Sequence, residues 1–168
     1  MSKQLSFPDC PILSESRRLQ STTRPSVCTK LLKAAQMGSI PKKILIADDD
    51  IGEQLFLKEI FSQVVPGLQV STVTNGRHVI NMLFRMRDID LPDMIILDFA
   101  LPAMNAAEVL ETLRREERFS TVRKIVLNKS WIPDESRRCI DAGANHILPK
   151  PDKASELKRI VIKLLETP

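Results

Sequence analysis

Residues 94–102 read Met94-Ile95-Ile96-Leu97-Asp98-Phe99-Ala100-Leu101-Pro102. Four consecutive apolar residues run directly into a carboxylate. A continuous apolar run of this length, with no polar alternation, is the pattern of a strand covered on both faces of a parallel sheet. A carboxylate at its end is costly unless it is solvated, paired or metal-bound. The strand gives the fold class, and the acid marks a place where chemistry is done.

The same pattern recurs on either side. Lys43–Ala47 is a short apolar run that ends in Asp48-Asp49-Asp50. Leu68–Val73 has period-2 character, Lys124–Leu127 is apolar, and His146–Leu148 is a short last strand before Pro149-Lys150-Pro151. Helical stripes lie between and after them. Phe56, Leu57, Ile60, Phe61 and Val64 mark Gly52–Val65, and Val79, Ile80, Leu83 and Phe84 mark the segment after Asn75-Gly76. Val109, Leu110 and Leu113 mark Ala106–Arg115. Asp134–Ala142 is stopped by Gly143, and Leu157, Ile160, Val161, Leu164 and Leu165 mark Ala154–Glu166. Five strands alternating with five helices predict an α/β fold, a doubly wound five-stranded parallel sheet with helices on both faces.

Residues 1–40 show no sustained period and are rich in Ser, Thr, Arg and Pro. They are expected to form a disordered basic extension, with a short helix around Val27–Met37 as one local option and Met37 as an alternative start. Six Lys/Arg against two acids place the whole net charge of +4 in this segment, and residues 41–168 balance 19 against 19. The basic pI is therefore poor evidence for a nucleic-acid-binding domain, and nucleic acid is not an expected partner. No apolar run is long enough to cross a bilayer and no secretory signal opens the chain, so no membrane is expected and a cytoplasmic location is. Cys10, Cys28 and Cys139 have neither metal-ligand nor disulfide spacing; Cys139 is expected to pack in a helix.

In a doubly wound sheet, ligands bind outside the carboxyl ends of the strands, near the reversal of strand order. Asp48, Asp49, Asp98 and Lys150 are all assigned there. Clustered carboxylates repel each other and a hard cation relieves the repulsion; magnesium suits oxygen donors and shares phosphate. A carboxylate that accepts a phosphoryl group forms an acyl phosphate, and a lysine ammonium covers part of its charge. The residues thus point to one acceptor carboxylate, two metal-holding carboxylates and one phosphoryl-contacting lysine.

Four pieces, in this order and spacing, resemble the response-regulator receiver domain of two-component phosphorelays. They are Ile44-Leu45-Ile46-Ala47-Asp48-Asp49-Asp50, the 94–102 segment, Ala142-Gly143-Ala144, and Lys150-Pro151. The resemblance covers residues 42–166, within a receiver domain at 41–168, and implies a flavodoxin-like receiver fold. It implies Asp98 as phosphoacceptor, Asp48 and Asp49 as the metal-binding pair, the Ala100 backbone carbonyl as a further Mg2+ ligand beside Asp98, and Lys150 on the phosphoryl group. It also implies a cis bond between Lys150 and Pro151.

Implied partners are a histidine kinase or histidine phosphotransfer protein and a downstream protein target, with a homodimer left open. The expected function is a stand-alone, chemotaxis-regulator-like receiver that catalyses only its own phosphoryl transfer and dephosphorylation. Its output is expected through the fourth helix, last strand and fifth helix, since the chain stops just after that helix. Trp131 is a candidate interface anchor or a loop-packing residue.

Several positions depart from the family. Asn128 stands where a Thr or Ser hydroxyl usually reaches the phosphoryl group, with Ser130 as a poorer substitute. Lys129 replaces a small residue, and is expected to fold outward, or else to add positive charge and narrow access. Asn105-Ala106 replaces Asp-Gly, and Ile147 occupies the aromatic switch position. Asn128 and Lys129 favour the alternative, a phosphorylation-independent interaction module, while the retained Asp48, Asp49, Asp98 and Lys150 oppose it. A phospho-aspartate hydrolase needs a second aspartate two residues after Asp98, and that position is Ala100.

Overall fold

The computed structural model describes residues 41–129, 133–151 and 153–166. The expectations for the 1–40 extension, the Val27–Met37 helix, Cys10, Cys28, Ser130 and Trp131 lie outside the described residues. The elements in chain order are β1 (Lys43–Ala47), α1 (Ile51–Val64), β2 (Gln69–Val73), α2 (Gly76–Arg85), β3 (Met94–Asp98), α3 (Ala106–Arg114), β4 (Arg123–Asn128), α4 (Pro133–Asp141), β5 (His146–Pro149) and α5 (Ala154–Glu166). All strand pairs are parallel, in the order β2-β1-β3-β4-β5. The expected fold class is the observed one.

The apolar strands have two different faces. Leu45 and Ala47 of β1, Ile95 and Leu97 of β3 and Val126 of β4 pack with Val79, Leu83, Val109, Leu110, Leu113 and Cys139 of α2, α3 and α4. Ile44 and Ile46, Met94 and Ile96, and Ile125 and Leu127 pack with Leu57, Phe61, Leu157 and Val161 of α1 and α5. Period-2 alternation is therefore intact. It is invisible in the sequence because both faces are buried.

The strand order reverses at β1, whose neighbours are β2 and β3. The register sets Ala47 beside Leu97 and Asp98 beside Leu127. Asp98 and Asn128 belong to their strands rather than following them, one residue beyond the apolar runs. Ladder pairing continues there, with the Phe99 N–H donating to the Leu127 carbonyl at 2.9 Å and the Lys150 N–H to the Asn128 carbonyl at 2.9 Å.

Helix entry is set locally. The Asp50 carboxylate caps α1, accepting from the N–H groups of Gly52 at 2.7 Å and Glu53 at 3.1 Å. Asn105 caps α3 in a capping box with Glu108. The missing glycine at 106 therefore leaves α3 intact, and Ala106 is fully buried. The left-handed residue of this turn is Ala103, at φ 66°. One expectation is overturned: none of the described peptide bonds is cis, so Lys150–Pro151 is trans. Trans is the lower-energy isomer by about 0.5–1 kcal/mol for a bond before proline, and it already delivers Lys150 to the acidic cluster.

Gln54, on the buried side of α1, donates from Nε2 to the Asp48 carbonyl at 2.5 Å and to the Val73 carbonyl at 2.9 Å. It ties the ends of β1 and β2 to the helix. Gln54→Leu keeps the bulk but takes the amide donor from the buried Asp48 carbonyl, while the Val73 carbonyl keeps the Asp48 N–H at 3.1 Å, and is expected to lower unfolding free energy by about 1–3 kcal/mol in urea titration. At Gly76, a Cβ would lie 2.0 Å from the Met104 carbonyl oxygen and 2.8 Å from Val109 Cγ2. Gly76→Ala is therefore expected to cost about 1–3 kcal/mol and to lower the thermal midpoint, despite alanine's better helix propensity.

Candidate phosphoryl-acceptor site

Asp48 and Asp98 sit at the ends of adjacent strands and are 1% and 8% exposed. They continue the face formed by Ile44 and Ile46 and by Met94 and Ile96, towards α1 and α5. Asp49 is exposed. One oxygen from each of the three carboxylates falls within a cluster 4.8 Å across. Lys150 comes in from the end of β5 with its side chain 6% exposed; Nζ is 2.7 Å from Asp48 and 3.4 Å from Asp98. The four residues singled out in the sequence are thus brought together. Ala100 follows in the exposed turn after β3.

The electrostatics follow from burial. The Asp48 carboxyl is pushed above its usual range by loss of water, although Lys150 and the Asp50 N–H, donating at 3.0 Å, act the other way. Burial alone would lower the Lys150 ammonium, but Asp48, Glu53 and Asp98 outweigh it and hold it protonated well above the ordinary lysine value.

Glu53 was missed in the sequence. It lies in the first turn of α1 and its carboxylate reaches Lys150 on one side and Lys129 at 2.9 Å on the other. Burial would raise its pKa, and the two lysines together lower it. The available signal was its spacing, four residues after Asp49 on the helix that leaves the acidic run. Lys129 does point outward, as expected, with its side chain 63% exposed, and it is paired with Glu53. Asn128 is 9% exposed, and its amide faces α4, with Nδ2 3.5 Å from Glu135. Ile147 packs, partly buried, against the α2–α4 side of the core, and no aromatic occupies its place.

Three carboxylates that converge from two strand ends, with hard oxygen donors and partial exposure, fit a small divalent cation. Octahedral magnesium takes oxygens at about 2.0–2.1 Å and keeps several of its waters, so it needs only a few carboxylate donors in one cluster. Asp48, Asp49 and Asp98 are the residues that would hold it.

Comparison with known proteins agrees with the geometry. The family model described as the response regulator receiver domain matches residues 44–162. The probable methanogenesis regulatory protein FilR2 of Methanothrix harundinacea is 28% identical, over 75% of this chain and 83% of its own. The phosphorylated cyanobacterial phytochrome response regulator RcpA superposes with a TM-score of 0.68 at 25% identity, covering 76% of this chain and 93% of that one. The receiver domain of a sensor histidine kinase from Pseudomonas aeruginosa PAO1, with a magnesium ion coordinated in its active-site cleft, gives 0.61 at 25% identity, covering 76% and 100%. With its strand order, its acidic cluster and its lysine in place, the chain belongs to the response regulator receiver domain family.

Proposed function

We propose that this receiver accepts a phosphoryl group on Asp98 from a histidine kinase or histidine phosphotransfer protein, in a magnesium-dependent reaction, and signals by protein–protein contact. The observation that carries this is the convergence of Asp48, Asp49 and Asp98 on the Lys150 ammonium at the reversal of strand order. The magnesium-bound Pseudomonas receiver and the phosphorylated RcpA support it.

In the proposed reaction an Asp98 carboxylate oxygen forms a bond to phosphorus. The phosphorus–nitrogen bond of the donor phosphohistidine breaks, and the imidazole leaves with the electron pair. The Asp98 backbone is held in the β3–β4 ladder, so the carboxylate is positioned before the donor arrives. Lys150 is already protonated and already 3.4 Å from Asp98, so it meets the phosphoryl oxygens without a long reorganisation. Asp48, Asp49, Asp98 and the Ala100 carbonyl would hold a magnesium ion, which when bound would neutralise further charge on those oxygens. The protein acts on no separate substrate and governs only the gain and loss of its own phosphoryl group.

The Asn128 amide retains a donor, but it is engaged towards Glu135. Coupling through a fourth-strand hydroxyl and an aromatic is accordingly not the route of this chain. No helix among the described residues is long and apolar enough to cross a membrane.

Intact mass after incubation with acetyl phosphate checks the acceptor. The expected result is a gain of one phosphoryl group that requires magnesium and is lost in Asp98→Ala; no gain in folded wild type favours a phosphorylation-independent contact module. Lys150→Met removes the buried ammonium and is expected to slow uptake by roughly a hundredfold, read from the time course of the same mass shift.

A further inference from the structure

Lys150 and Lys129 both have a carboxylate partner on α1, and it is the same one. Glu53 touches the Lys150 ammonium and lies 2.9 Å from that of Lys129. An ammonium has three protons to donate, and Lys150 faces three carboxylates, those of Asp48, Glu53 and Asp98. The one ammonium is therefore already shared among three carboxylates before any phosphoryl group is present.

A phosphoryl group on Asp98 adds about −1.5 to −2 of charge with three acceptor oxygens. It arrives beside an existing anion, Glu53, and competes for the same ammonium. One of the contacts to Lys150 has to be given up. The Asp48 contact is buried on both sides, 6% and 2% exposed, and Asp48 is also held by the Asp50 N–H. The Glu53 side chain is 31% exposed and sits in the first turn of α1, where water can solvate it once released. Glu53 is the cheaper partner to displace. Lys129 is open to solvent in the same sense: its side chain is 63% exposed and it follows directly on Asn128 at the end of β4, next to β3 and Asp98. It already feels the attraction of Asp98 as well as that of Glu53.

Resting on the acceptor role of Asp98 given above, we propose that Glu53 is a positioning residue. It restrains Lys150 and Lys129 in the unphosphorylated receiver and surrenders both to the phosphoryl group, so that phosphorylation is reported through the first turn of α1. This gives the chain a coupling device on the α1 side of the sheet, where Asp48, Asp98 and Lys150 meet. The Asn128 amide, by contrast, faces α4. It also assigns a use to Lys129, which the family pattern does not supply.

The test compares full-length wild type with Glu53→Gln, an isosteric change that removes only the charge. Magnesium and acetyl phosphate are present at low and high salt, with uptake followed by intact mass. At low salt the variant is expected to be phosphorylated about tenfold faster, since a charge-assisted contact no longer competes for Lys150. The ratio of the two rates is expected to fall as salt rises but to stay above one, because the Glu53–Lys129 contact is exposed and screened while the Lys150 ammonium is buried and screened much less. A merely structural role for Glu53 changes the melting temperature but gives no salt-dependent ratio. In wild type, the backbone amide shifts of Ile51 and Glu53 are expected to move on phosphorylation.

A ratio of one or less at low salt, or an α1 first turn whose amides do not respond in phosphorylated wild type, overturns the clamp and leaves Asp98 as acceptor. Uptake by Glu53→Gln but not by wild type supports the clamp in its strongest form. No uptake by either protein overturns the acceptor role, and the clamp falls with it.

Discussion

Two carboxylates, Asp48 and Asp98, are held side by side at the ends of adjacent parallel strands with almost no access to water. Nothing in the apolar sheet compensates them. The compensation has to come from outside the sheet, and it comes from a lysine at the end of the fifth strand. Lys150 reaches across β4 to both acids, so β5, the loop after it and α5 are coupled to the centre of the sheet by charge as well as by packing. A single partner of this kind leaves the cluster short of positive charge, and the donor set suits a divalent cation.

The first helix is drawn into the same balance. Asp50 caps it, Gln54 ties it to the carbonyls of Asp48 and Val73, and Glu53 turns its carboxylate to Lys150 and Lys129. Three of its first residues are thus committed to the acidic end of the sheet, while Leu57, Ile60, Phe61 and Val64 anchor its remainder in the core. Lys150, which contacts both Asp98 and Glu53, is the link between the end of β3 and the first turn of α1. Asn128 meets Glu135, and Ile147 lies in an ordinary aliphatic environment. Asn128 and Ile147 depart from the family pattern on the α4 side of the sheet, whereas the Glu53, Lys129 and Lys150 charges meet on the α1 side.

Much of the site was legible before the fold. Asp98 announced itself because an acid directly after four apolar residues has no structural role in a buried strand. Asp48, Asp49 and Lys150 were each ordinary alone, and became informative through the rule that doubly wound sheets bring strand ends together. Glu53 was not legible, since a glutamate on a helix is a solvated residue by default, and its partners are 76 and 97 residues further along the chain. The direction of Asn128 was equally hidden, because it depends on which face of β4 it continues. The trans geometry of Lys150–Pro151 overturned an expectation that came with the resemblance rather than from any contact in this chain.

The sequence by itself determined the number and order of strands and helices, the parallel sheet and the identity of the acidic cluster. These follow from local patterns: apolar runs, helical stripes, caps and glycine stops, each set by a few neighbouring residues. Tertiary structure alone decided how the two faces of the strands divide the core, which cations meet which carboxylates, and that Lys129 and Lys150 share Glu53. Those outcomes depend on register and on side-chain reach between distant segments. Coulombic pairing in a desolvated site is settled by distances of a few ångströms, which no local pattern in the chain encodes.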